Sequence, residues 1–139
     1  MRSMQRDDLL VIRMIPGEEV VTNLMEACSD NNVATAVILS SIGQLKDVEL
    51  GYFVNRGDYS PEEFKETYEL LSLSGMITMQ DGVYLPHIHA VLGTSTKSTI
   101  GGHLIRGTVQ VTNETVLLIR DFNVKRAYND NTDLMDLDP

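Results

Sequence analysis

The sequence has no tryptophan and a single cysteine, Cys28. One thiol cannot form an intrachain disulfide. With no base near it in sequence and a place on the apolar stripe of a helical pattern, Cys28 reads as a small core residue, not a nucleophile. No apolar run approaches the roughly 20 residues that a membrane-spanning helix needs. The opening MRSMQRDD lacks the apolar stretch of an export signal, so a cytoplasmic protein without a membrane anchor is expected. Basic residues are scarce: 11 Lys and Arg stand against 20 Asp and Glu, a formal net charge of −9. Affinity for duplex DNA comes mainly from Lys and Arg neutralising phosphates. Lys97, Arg106, Arg120, Lys125 and Arg126 are scattered and no aromatics interleave with them, so composition opposes direct DNA binding.

What is present describes one globular domain over 1–139. The 139 residues are 42% hydrophobic and 22% charged, enough chain to bury a sizeable core without disulfide or metal staples. No repeat or linker divides it. The acidic end, 127–139, has no convincing period and is expected to fray, or to be pinned only through Leu134 and Leu137.

Along the chain, DLLVIRMI (8–15) is a strand-like run closed by Pro16-Gly17. EEVVTNLMEACSDNN then places Val20, Val21, Leu24, Met25 and Cys28 on one helical face, with Glu18 and Glu19 expected in the first turn, where the helix dipole favours acids. VATAVILSSI (33–42) and LKDVELGYF after Gly43 read as two strands joined by a turn. NRGDYSPEEFKE (55–66) reads as a polar surface loop with one helical turn that covers a pocket. TYELLSLSGMITM alternates, and Gly75 inside it suggests a bulge. Asp81-Gly82 marks a tight hairpin, because both central residues of a type I′ turn take positive φ. YLPHIHAVLG follows, apolar on both sides and expected to be covered twice, once by a second subunit. A loop at 94–99 leads to strands at 100–111 and 115–122, with a turn expected at Thr112-Asn113-Glu114.

All three histidines lie between positions 87 and 103. Residues two apart in a strand face the same way with Cα atoms about 7 Å apart, so His87 and His89 can converge on one ion. If 94–99 closes a hairpin, His103 falls opposite Ala90 or, after a one-residue bulge, opposite His89. Opposed side chains have Cβ atoms about 5 Å apart, within reach of a shared metal. Three imidazoles with open positions suit a divalent transition metal, with zinc the default. Glu69, an acid on an otherwise apolar strand face, calls for a partner. Hairpin register places it roughly 17 Å along the strand from His89, so it can join the set only across a subunit boundary. A cupin would carry a glutamate a few residues beyond the His-x-His pair, where Gly93 and Thr94 stand instead. TKSTIGG lacks the order of a phosphate-binding loop and reads as a plain connection.

Four stretches, SSIGQL (40–45), YELLSLSG (68–75), PHIHAVLG (86–93) and GGHLIRGTV (101–109), together resemble the plants-and-prokaryotes-conserved (PPC) domain. The resemblance implies an α+β fold, an antiparallel-rich mixed β-sheet packed on one main α-helix, assembled as a homotrimer with strands at the interface. It also implies a histidine site near that boundary at His87, His89 and His103. Members are commonly described as DNA-binding, but in the plant proteins an AT-hook makes the DNA contact, and no Arg-Gly-Arg-Pro occurs here.

Two functions compete. The first is a trimer with a histidine-lined metal or small-ligand site, on which Glu69 from a neighbour would act as a base or orient a ligand. The second is a DNA-binding or transcription-associated trimeric platform. A purely structural trimer, its histidines merely packed, is the bland alternative to both. No catalytic residue is identified by the sequence.

Overall fold

The computed structural model describes residues 1–139. In chain order the elements are β1 (Arg2–Arg6), β2 (Leu9–Met14), α1 (Val20–Asp30), β3 (Thr35–Gly51), β4 (Glu62–Gln80), β5 (Val83–Gly93), β6 (Thr99–Arg120), β7 (Lys125–Asn129) and β8 (Leu134–Asp138). Six strands form one sheet in the order β1-β2-β6-β3-β4-β5. β5 also pairs with the start of β6, so β3, β4, β5 and β6 close a ring of pairings. The expected mixed sheet is antiparallel at every pairing.

Alternation in β2 buries Leu10, Ile12 and Met14 and leaves Leu9, Val11 and Arg13 outside. β1, a strand that the polar sequence RSMQR does not signal, folds back on β2 through a turn at Asp7, whose φ is +50°. α1 packs the core with Val20, Val21, Leu24, Ala27 and Cys28. Glu18 and Glu19 precede the helix and do not occupy its first turn. Glu19 is the N-cap, and its carboxylate accepts from Val21 N at 3.0 Å and Thr22 N at 2.7 Å. Such caps contribute about 1 kcal/mol. The same carboxylate accepts from Gly107 N at 3.0 Å, which fastens the helix start to β6.

At two expected turns the chain runs straight on. β3 passes through Gly43 and β6 passes through Thr112-Asn113-Glu114, and the two are paired there, Gly43 opposite Asn113. Asn113 is fully buried, and its amide donates to Ser41 Oγ at 3.0 Å while its carbonyl accepts from Thr115 Oγ1 at 2.8 Å. The Asn113 amide is thus satisfied inside the sheet, whereas the Thr112 hydroxyl beside it is left without a partner. Register shifts between Ile38 and Ser40 and between Gly43 and Leu45 absorb the irregularity as bulges.

The loop after β3 is shorter than expected. β4 has begun by Glu62, so no helical turn forms over 55–66. Asp81 and Gly82 make the expected tight hairpin, with φ of +52° and +79° and Gln80 opposite Val83. The bulge in β4 falls between Leu70 and Ser72, not at Gly75. It turns Leu71 out and brings both Leu70 and Leu73 in. β5 is covered on one side only by this chain: Ile88, Ala90 and Leu92 are buried, while His87, His89 and Val91 are exposed.

The tail does not fray. β7 and β8 pair as a two-stranded sheet. Arg126 pins it: its backbone N–H donates to Gln80 Oε1 at 2.9 Å, its Nε to Thr78 Oγ1 at 3.1 Å and its Nη1 to Met135 O at 3.0 Å. Leu134 and Leu137, the residues expected to anchor it, stay largely exposed. No helix is long and apolar enough to cross a membrane.

Candidate metal centre

Because β5 pairs with the start of β6, His89 lies directly opposite His103, with no bulge needed between them. His87 sits two residues back on the same face of β5. The three rings gather with centroids 5.3 to 5.5 Å apart. One ring nitrogen from each falls within 4.8 Å of the others. His87 Nε2 and His89 Nε2 are 3.3 Å apart. Two nitrogens bound tetrahedrally to zinc at about 2.05 Å stand about 3.3 Å from one another, so this pair already has ligand spacing.

Two glycines permit this gathering. Gly75 opposes Ile88 on β5, and a Cβ there would lie 2.0 Å from the His87 carbonyl oxygen. Only glycine lets β4 lie so close behind the histidine, and its φ of +136° is one that side chains disfavour. Gly51 leaves room for the Tyr59 ring, which a Cβ would meet at 2.5 Å. Tyr59 then packs edge-on against His103, centroids 5.3 Å apart.

Burial, reinforced by the two neighbouring imidazoles, pushes His103 down to about 4 from its ordinary value of 6.5. Burial also lowers His87, with help from His89 and Arg126. Both rings are therefore neutral at pH 7, the state in which an imidazole nitrogen can bind a metal. His103 Nδ1 is buried and has no hydrogen-bond partner. Three imidazoles gathered this closely, His87 and His103 of them neutral and His103 with an orphaned nitrogen, fit a divalent transition ion that keeps open positions.

Two clefts meet at the triad. The larger, about 620 Å³, is lined by Tyr59, His87, His103, Arg126 and the apolar residues of β8. The other, about 540 Å³, runs past Tyr52, Phe53, His89 and Val91. Tyr59, Arg126 and β8 were not legible as site residues. A tyrosine in a polar loop and an arginine in an acidic tail carry no periodic signal.

Glu69 is not brought to the triad within the chain. It sits opposite Gly93 and Gln44, and its carboxylate accepts from Gln44 Nε2 at 2.7 Å. The loop in TKSTIGG closes on itself, Thr94 N donating to Ser98 O at 2.9 Å, and is a plain connection. Cys28 is buried, and burial raises its thiol to about 12, so it remains protonated.

Comparison with known proteins places the chain. A family model for the Plants and Prokaryotes Conserved (PCC) domain matches residues 1–123. Among curated proteins none matches. Among solved structures, a plant- and prokaryote-conserved protein from Pyrococcus horikoshii is 28% identical with a TM-score of 0.85, covering 99% of this chain and 94% of that one. A metal-containing protein from Archaeoglobus fulgidus is also 28% identical, with a TM-score of 0.84 over 97% and 96% of the two chains. A presumed DNA-binding protein from Bacteroides thetaiotaomicron has a TM-score of 0.93 over 99% and 96%, but at 22% identity that likeness establishes the fold alone.

Proposed function

This chain belongs to the Plants and Prokaryotes Conserved (PCC) domain family, and on that premise we propose that it is a homotrimer whose subunits each hold a divalent transition-metal ion on His87, His89 and His103. Zinc is the default, since a set of three imidazoles with open positions matches its chemistry. The observation that carries the reading is the cluster itself, ligand nitrogens within 4.8 Å of one another on a rigid strand pair. The Archaeoglobus relative, described as metal-containing, supports it.

A bound ion would supply Lewis acidity at the meeting of the two clefts. Around it the three imidazoles would act as ligands and Tyr59 would shield the His103 side from water. Glu69 would join only from a neighbouring subunit, as a base or to orient a ligand. The trimer is favoured by exposed apolar side chains along β3 and β6, namely Val37, Leu39, Ile42, Ile105 and Val111, a surface that one chain leaves uncovered.

The DNA-binding or transcription-associated reading has less behind it. The net charge is −9, and two of the arginines are tied up in ion pairs: Arg106 with Glu49 and Glu63, and Arg120 with Asp8. The test is the His87→Ala/His89→Ala double variant, purified without tag or chelator. Loss of bound metal with an unchanged trimer mass, and a melting curve matching that of the chelator-stripped parent, is expected, and unchanged metal content would overturn the reading.

A further inference from the structure

The larger cleft contains a second unfinished group. Arg126 is only 7% exposed and lines the wall beside His87 and His103. Its Nε and Nη1 are bonded to Thr78 and Met135, but its Nη2 is buried without an acceptor. It belongs to none of the chain's salt bridges. Asp136 is near enough to favour its charge, yet the Asp136 carboxylate accepts from Asn129 Nδ2 at 2.6 Å. The two remaining unpartnered buried atoms are isolated threonine hydroxyls, on Thr112 and Thr132, whereas Arg126 and His103 border one cleft.

A buried guanidinium N–H with no acceptor is costly, and an anion is the partner that removes the cost. Much of the rest of the lining is apolar, with Leu85, Pro86, Leu134 and Leu137 on the walls and Leu137 paired directly with Arg126 across the hairpin. Charge selects further. Asp136 lines the same cleft and already offsets part of the Arg126 charge, so this wall can balance no more than a single negative charge and opposes a doubly charged phosphate.

We propose that this cleft binds a small monocarboxylate with an apolar body, the carboxylate on Arg126 and the body along Leu85, Pro86, Leu134 and Leu137. The family model ends at residue 123, so the β7–β8 hairpin that supplies Arg126 is the part of the site that lies beyond it. The inference rests on the metal reading only in setting the carboxylate beside the ion; Arg126 carries the recognition.

The test is titration of sodium hexanoate and of neutral hexanamide into the isotope-labelled protein, metal-loaded and chelator-stripped, following amide shifts of 126–137 by NMR. Hexanoate should bind both forms, with hexanamide weaker by about tenfold or more. Arg126→Met should lose hexanoate affinity to a similar degree. That variant can also loosen the hairpin, so Leu134→Asp is the second probe. Leu134 is 36% exposed at the cleft edge, so a carboxylate there should repel hexanoate while leaving the melting temperature unchanged. Equal binding of hexanamide, or preference for phenyl phosphate, would overturn the proposal. So would hexanoate binding that appears only with metal and ignores Arg126→Met, which would make the carboxylate a plain metal ligand. Hexanoate bound through Arg126 in a protein that takes up no metal would support this inference while sinking the metal reading.

Discussion

The sheet carries two clusters of polar side chains, and they are finished differently. Around Asn113 every group of the cluster has a partner: Asn113 bonds Ser41 and Thr115, and Ser41 Oγ lies 2.7 Å from Thr115 Oγ1. Around His103 the accounting stays open, with Nδ1 of that ring and Nη2 of Arg126 unpartnered. Both clusters gave up solvation, which costs about 1–3 kcal/mol for each group left unmet. Only the first recovers it within the chain. A closed cluster specifies the fold, here by holding β3 and β6 in register where both sequences suggest turns. An open one points to a partner from outside.

The comparison breaks most visibly if the two clusters fail to separate function from stability. Replacing His87 and His89 together with Ala should abolish metal retention outright and leave the melting temperature of the metal-free protein within a degree or two, since both side chains are exposed. Unfolding of that variant, read by circular dichroism, would show the histidines to be structural. Asn113→Ala should do the reverse. Stripping the amide from Ser41 and Thr115 should cost about 2–3 kcal/mol in urea unfolding while metal content stays unchanged.

Acidity sharpens the contrast more gently. Burial holds His103 near 4, so the unfolded chain, titrating near 6.5, takes up a proton that the folded chain resists. Stability from the neutral ring is whole above pH 6.5 and lost as pH falls through 4. The urea midpoint of metal-free protein should fall across that window, and His103→Ala should flatten the fall; a midpoint no steeper in the parent than in the variant would contradict it. The smallest expected effect is a null. At physiological salt, fluorescence anisotropy with labelled duplex DNA should show no saturable binding, and micromolar saturation would mean that net charge had been given too much weight.

Much of the fold was legible where alternation or turn chemistry acts locally. Leu10, Ile12 and Met14 announce β2, the spacing from Val20 to Cys28 announces α1, and Asp81-Gly82 sets a hairpin that fixes β4 against β5. The histidine cluster followed from that register with one correction, the direct pairing of His89 with His103. What stayed hidden depends on long-range partners. Asn113 reads as a turn residue until Ser41, distant in sequence, satisfies it. Arg126 reads as surface charge until Thr78 and Gln80 take its donors. Tyr59 reads as a loop residue until Gly51 makes room for its ring against His103.

The central claim is that the open cluster is completed by a metal. Elemental analysis of protein purified without affinity tag or chelator, alongside its mass in solution, tests it most directly. The account predicts about one transition-metal ion per chain in a trimer. Protein that holds no metal, and takes up none when titrated with zinc, nickel, iron or copper, would contradict it.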